Sequence, residues 1–223
     1  MVLYNQYQRA PSMKSFSVYD EIKKELINGK WGFGQKISVN DLIDRFNVSR
    51  RPVMDALKIL ETDGFIEIIP QSGCKVVDYS RKRIIDQLLL SASIESLSAE
   101  FAALHHTPEE FNQFEKHHLS FLEHSEKLND NEYYFQYNRE FHLNIAIMSH
   151  SERITTSAMQ MWDLNDFYLH NFFEKYNVDA REPLEYHNQI LESIRTRNAE
   201  QAKIAMEKHL RKYAETISSY LPE

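Results

Sequence analysis

The apolar positions between residues 38 and 76 change period twice, and the order of those changes predicts a helix, a tight turn, a second helix and a hairpin. Val39, Leu42, Ile43 and Phe46 keep helical spacing behind Ser38, which stands three residues before Asp41 in a capping-box-like arrangement. Asn47-Val48 then turns the chain, and Ser49 offers a side-chain oxygen to cap the next helix. Pro52 is tolerated in the first turn of that helix, where amide protons have no intrahelical partner. Val53, Ala56, Leu57 and Leu60 form its buried stripe, and Gly64 is placed to end it. Residues 65–69 and 75–77 read as strands around a turn at Pro70-Gln71-Ser72-Gly73.

From residue 80 onward the pattern is helical throughout, and none of the five glycines of the chain lies beyond Gly73. Six helices are expected, near residues 80–105, 107–127, 131–148, 152–175, 182–197 and 199–219. Thr107-Pro108-Glu109-Glu110 is a strong start signal, with a cap, a proline in the first turn and an acidic partner. Short connections favour antiparallel neighbours. The expected fold class is therefore mainly α: an amino-terminal winged helix-turn-helix with a small α/β wing, then an all-α antiparallel helical bundle. The domain division follows: an arm at 1–12, a winged-helix domain at 13–79, and an all-helical domain at 80–223. Trp162, Phe167, Tyr168, Phe172 and Phe173 share the fourth bundle helix and read as core or dimer packing. The pairs His105/His106 and His117/His118 read as surface residues.

A recognition helix reads the major groove mainly from its first residues, while its dipole favours nearby phosphate. Here that end carries Ser49, Arg50 and Arg51, a hydroxyl beside two guanidinium forks suited to guanine edges and phosphate oxygens. Asn40 on the preceding helix joins the candidate contacts, and Gln71, Ser72 and Gly73 make a wing tip small and polar enough for a minor groove. Residues 37–76 resemble the DNA-binding domain of the GntR family of bacterial transcription regulators. The family's VSRTPVREAL-like run stands here as Val48-Ser49-Arg50-Arg51-Pro52-Val53-Met54-Asp55-Ala56-Leu57, followed by Asp63-Gly64-Phe65-Ile66 and the wing glycine Gly73. Two positions depart from the pattern: Met54 replaces an arginine that the resemblance places among the base readers, and Arg51 replaces a threonine. Met54 is available either to a thymine methyl or to the core.

Charge changes this picture only once it is divided. The net charge of −7 over 223 residues is unusual for a DNA binder. Residues 1–79 hold 11 Lys+Arg against 10 Asp+Glu, whereas residues 80–223 hold 15 against 23. Attraction to phosphate must come from local basic groups and should be salt-sensitive. The single cysteine, Cys74, excludes a disulfide framework within the chain and points to a reducing cytosolic setting. No apolar run reaches the roughly 20 residues needed to span a bilayer, and no signal-peptide pattern opens the chain.

The helical half carries its own candidate chemistry. Asn138 and His142 are one helical turn apart, while His187 and His209 lie on two later helices. Three helices could thus converge neutral imidazoles, which suit Zn, Ni, Cu or Fe. Residues 80–223 resemble the all-helical FCD effector domain of the FadR branch of the same family. The D-x-x-F-H pattern stands as Asn138-Arg139-Glu140-Phe141-His142, the EH-x-x-I segment as Glu185-Tyr186-His187-Asn188-Gln189-Ile190, and M-x-x-H-L as Met206-Glu207-Lys208-His209-Leu210. The resemblance implies a divalent metal, Zn or Ni first, held by His142, His187 and His209 with Asn138 in place of the family's aspartate. An amide oxygen can coordinate but brings no charge, so affinity should be lower than with aspartate. Ser91 stands where relatives place a carboxylate-gripping arginine, which leaves Ser91 and Arg139 as candidate effector contacts.

The reading is a cytoplasmic, homodimeric DNA-binding regulator of a near-palindromic operator, with a small-molecule effector and with repression relieved by ligand as the default. One rival is a metal-dependent hydrolase using the three histidines, which leaves the winged helix unexplained. Another is a structural DNA-binding protein whose helical half only dimerises.

Overall fold

The computed structural model describes residues 11–70, 72–78, 80–124, 131–176 and 184–221. It divides into two compact units, Met1–Tyr79 and Ser80–Glu223. Of the expected arm, only residues 11 and 12 fall among those described.

The first unit opens with a helix that the sequence reading did not include, α1 (Met13–Ile27). Ser12 caps it and exchanges bonds with Ser15 in a capping box, while Val18, Ile22 and Leu26 bury one stripe. Strand β1 (Lys36–Ile37) precedes α2 (Val39–Phe46) and α3 (Arg50–Thr62). The wing is the hairpin of β2 (Ile66–Ile69) and β3 (Gly73–Val76). The sheet order is β1-β3-β2, antiparallel, with Ile37 opposite Cys74 and Ile66 opposite Val76. β1 also went unread, because a two-residue strand leaves no alternation to detect.

Ser38 caps α2 by accepting the Asp41 amide at 3.2 Å. Asn47 ends the helix in the left-handed region at φ 49°, a conformation its short polar side chain tolerates. Gly64 turns the chain after α3 at φ 90°. Beneath the helices, Val53, Ala56, Leu57 and Leu60 are fully buried together with Ile22, Leu26 and Val76, so α3 is fixed by the face opposite its arginines. Ser38→Ala should destabilise this unit by about 1 kcal/mol in a denaturant titration, the usual cost of a lost cap.

The second unit contains α4 (Arg81–His105), α5 (Pro108–Leu122), α6 (Asn131–Met148), α7 (Glu152–Tyr176), α8 (Leu184–Arg195) and α9 (Ala199–Tyr220). α4 packs most extensively on α9 and also meets α6, α7 and α8, which makes it the central helix of the bundle. The expected starts of α4, α6, α7 and α9 agree within a residue, whereas the Glu182-Pro183 start lies outside the described residues. Trp162, Phe167 and Tyr168 are buried. No helix among the described residues is long and apolar enough to cross a membrane.

α5 begins as its sequence requires: Thr107 accepts the Glu110 amide at 3.2 Å, and Glu110 accepts the Thr107 amide at 2.7 Å. That backbone hydrogen bond, helped by His150, pulls the Glu110 carboxyl down to about 2 from 4.5. A depressed carboxylate stabilises the fold above its unfolded pKa and loses that contribution as pH falls through its folded one. Thermal midpoints of wild type and Glu110→Gln should therefore differ at pH 5 and converge toward pH 2. The half-exposed site limits the difference to no more than about 1 kcal/mol.

Candidate functional site

At the start of α3, Ser49, Arg50 and Arg51 are all exposed. The structure corrects one expectation there, since Ser49 occupies the N-cap position but its hydroxyl makes no capping hydrogen bond. The cause is Pro52, third in the helix, which lacks the amide proton that such a hydroxyl commonly accepts. The hydroxyl is left to an external acceptor or donor. Arg51 Nε lies 3.8 Å from Asp55 Oδ2 and is 65% exposed, a loose pairing that leaves the fork accessible. Asn40 is exposed in the first turn of α2, and Met54 is half-buried. In the wing, the Ser72 amide donates to Ile69 O at 3.0 Å to close the turn. Gly73 takes φ 103°, a value that favours glycine. Gln71 lies outside the described residues.

In the helical unit, His142 of α6, His187 of α8 and His209 of α9 converge. Their ligating nitrogens lie within 4.8 Å of one another, and all three side chains are buried. Nε2 of His209 stands 3.2 Å from that of His187 and 3.3 Å from that of His142. Burial first, and then the neighbouring imidazoles, hold His187 well below the usual histidine range, so its ring is neutral. His142 Nδ1 approaches Glu95 Oε2 to 2.5 Å, although the ring N–H is not aligned for a regular hydrogen bond. Asn138, one turn before His142, is buried, and its Oδ1 finds no hydrogen-bond partner among the described residues. A buried carbonyl without a donor is costly unless something else satisfies it.

These residues fit a divalent transition metal. Three mutually facing imidazole nitrogens repel through their lone pairs unless a proton or a cation lies among them. The orphaned Asn138 oxygen adds a fourth donor of the right hardness. Asn138 and His209 also line a small pocket with Ser91, Asn165 and Trp162, with free room for about one water molecule. Ser91 is fixed within it, donating to Glu95 Oε1 at 2.8 Å and accepting from Asn165 Nδ2 at 2.9 Å. Trp162 Nε1 is buried without an acceptor among the described residues. Arg139, the other candidate effector contact, does not line this pocket. Its guanidinium is held by Asp163 at 2.5 Å and by Asp166.

The histidine doublets divide differently from expectation. His105 is exposed and His117 partly so, but His106 and His118 are buried at 5% and 2% exposure, which corrects their surface assignment. His106 Nε2 meets Ile194 O at 3.1 Å. His118 lies on the buried stripe Phe111, Phe114, His118 and Phe121, and that helical spacing was the signal available in the sequence. The sequence reading did not assign Glu95, Tyr137, Asn165 or Trp162 to this site, and Trp162 was read only as packing. Glu95 alone carried a cue, being one helical turn from Ser91.

A reading helix and wing in one unit, and a buried imidazole cluster in an all-helical second unit, define a two-unit DNA-binding regulator. Residues 14–76 match the bacterial regulatory proteins of the gntR family, and residues 88–212 match the FCD domain. The chain belongs to the GntR family of transcriptional regulators that carry a carboxy-terminal FCD domain; it is a regulator, not an enzyme, and the hydrolase reading is not favoured. It is 25% identical over 218 residues to the HTH-type transcriptional regulator YdhC of Bacillus subtilis (strain 168), covering 96% of this chain and 95% of that protein. It is likewise 25% identical over 213 residues to the Exu regulon transcriptional regulator of Escherichia coli (strain K12), covering 85% and 79%. The solved structure of E. coli McbR/YncC superposes with a TM-score of 0.75 over 94% of this chain and 100% of that one, at 19% identity, a likeness of fold.

Proposed function

We propose that this regulator reads its operator with the start of α3 and is controlled through a metal-centred effector site in its helical unit. In the first unit, Arg50 and Arg51 face base edges and phosphates, Ser49 and Asn40 hydrogen-bond the backbone, and the wing at 71–73 enters the minor groove. In the second unit, His142, His187, His209 and Asn138 hold a divalent ion, with Zn or Ni suited to the imidazole set. When bound, such an ion offers open coordination positions to a small molecule. The observation that carries this reading is the convergence of three buried imidazoles beside an unsatisfied amide oxygen.

The chain's own residues shape what enters. Ser91, Asn165 and Trp162 set the polar wall, and the tight pocket requires its lining to shift before anything larger than water enters. That shift supplies the change that a second state of the regulator needs. The coupling is allosteric only if the effector binds the DNA-competent and DNA-incompetent states unequally. The regulator acts as a homodimer on a near-palindromic operator, a two-fold protein matching two-fold DNA, and represses until ligand binds. Gel shifts on fragments from the gene's own neighbourhood test this, with zinc and candidate metabolites varied. The reading expects a specific fragment whose retardation responds to a metabolite only when metal is present. A response that persists in full after chelation counts against the metal-centred site.

A further inference from the structure

With the exposed Asn188 amide turned so that its oxygen faces His118, the hydrogen bonds behind His187 run in one direction. Asn188 Oδ1 lies 3.2 Å from His118 Nε2, and a carbonyl oxygen only accepts. The proton of neutral His118 therefore sits on Nε2, which leaves a lone pair on Nδ1. The Tyr137 hydroxyl, 3.1 Å from that Nδ1, must donate to it. With its one proton committed there, the Tyr137 oxygen can only accept from His187 Nδ1, 2.7 Å away. His187 is thereby protonated on Nδ1, and its Nε2 lone pair faces His209 across 3.2 Å.

We propose that Asn188, His118 and Tyr137 form a positioning relay that locks His187 in its Nδ1-protonated tautomer and so presets its Nε2 as a donor to a divalent transition metal. The inference rests on the metal-site reading above. The relay draws on three helices, with His118 from α5, Tyr137 from α6, and Asn188 with His187 from α8. Which nitrogen of a histidine can bind a metal is set by the hydrogen bond that the other nitrogen makes. His142 has the Glu95 carboxylate 2.5 Å from its Nδ1, a close charged neighbour rather than an aligned hydrogen bond. His187 has no carboxylate at that position and uses a phenol backed by a second imidazole. The His187 ring also stacks on Phe141 at 4.0 Å between centroids, which fixes its plane but not its tautomer. Breaking the relay leaves plane and packing intact and frees the proton to move to Nε2, where it blocks the metal.

Zinc titration of the full chain against a competing chelator, with long-range nitrogen-15 imidazole spectra of the metal-free protein, tests the relay. Tyr137→Phe keeps the ring and should weaken zinc binding about 10–100-fold, the usual effect of removing such an outer partner. Its His187 signals should move from a single Nδ1-protonated form to a mixture. His118→Leu should act in the same direction, whereas His118→Gln, whose side-chain carbonyl can accept the Tyr137 proton, should restore most of the affinity. Unchanged zinc binding and an unchanged His187 tautomer in Tyr137→Phe overturn the relay while leaving the metal site standing. No zinc uptake by the wild type, matching His187→Ala, overturns the metal reading itself.

Discussion

A chain carrying both His187→Ala and His209→Ala should lose its stabilisation by divalent metal. A ligand at about 1,000 times its dissociation constant stabilises the state that binds it by about 4 kcal/mol. For a chain of this size that corresponds to roughly 8–16 °C in the thermal midpoint. Wild type should show that rise on adding zinc to demetallated protein, and the double variant should show none. Two truncated imidazoles also leave a cavity, with its own cost. His209→Gln, close to the original volume, is the companion variant that separates loss of metal from loss of packing. A zinc response in the double variant equal to that of wild type would place the metal elsewhere in the chain.

Arg50→Ala should weaken operator binding by about 1–3 kcal/mol if its fork makes the bidentate guanine contact for which it is placed. The loss should be larger on the operator than on an unrelated duplex, because base contacts carry the sequence information. Arg51 sits one position further on with Asp55 3.8 Å away, so Arg51→Ala should cost less and fall more evenly across sequences. The salt slope separates the two arginines. Removing a phosphate-binding group reduces it by about one charge, whereas removing a base-reading group lowers affinity at every salt concentration. Anisotropy titrations at two salt concentrations and on two duplexes read all of this. Equal loss on both duplexes would assign Arg50 to the backbone rather than to a base.

The elements and several of the clustered residues were legible because each has a local cause. Ser38, Asn47 and Gly64 punctuate the reading helices by caps and by left-handed turns, and these depend on neighbours only a few residues away. His142, His187 and His209 stood out because helix assignment alone places each on a bundle helix, and the likeness to the FCD domain grouped them as the proposed metal set. α1 was overlooked because its stripe mixes Ser15 with Val18, Ile22 and Leu26, so its apolar signal is diluted. Tyr137 and His118 were hidden for another reason. Their role depends on hydrogen bonds across 19 and 50 positions, which no periodicity encodes. Ser49 was misjudged because a cap was inferred from residue type without asking which amide remained to be capped, and Pro52 had removed one.

An anomalous difference map, from crystals of the full chain grown with equimolar zinc and collected above the zinc edge, addresses the proposed metal site of the helical unit most directly. One strong peak per chain, enclosed by the Nε2 atoms of His142, His187 and His209 and adjacent to Asn138, is the predicted result. A map with no peak there, or with its zinc bound only to surface histidines such as His117, would contradict it.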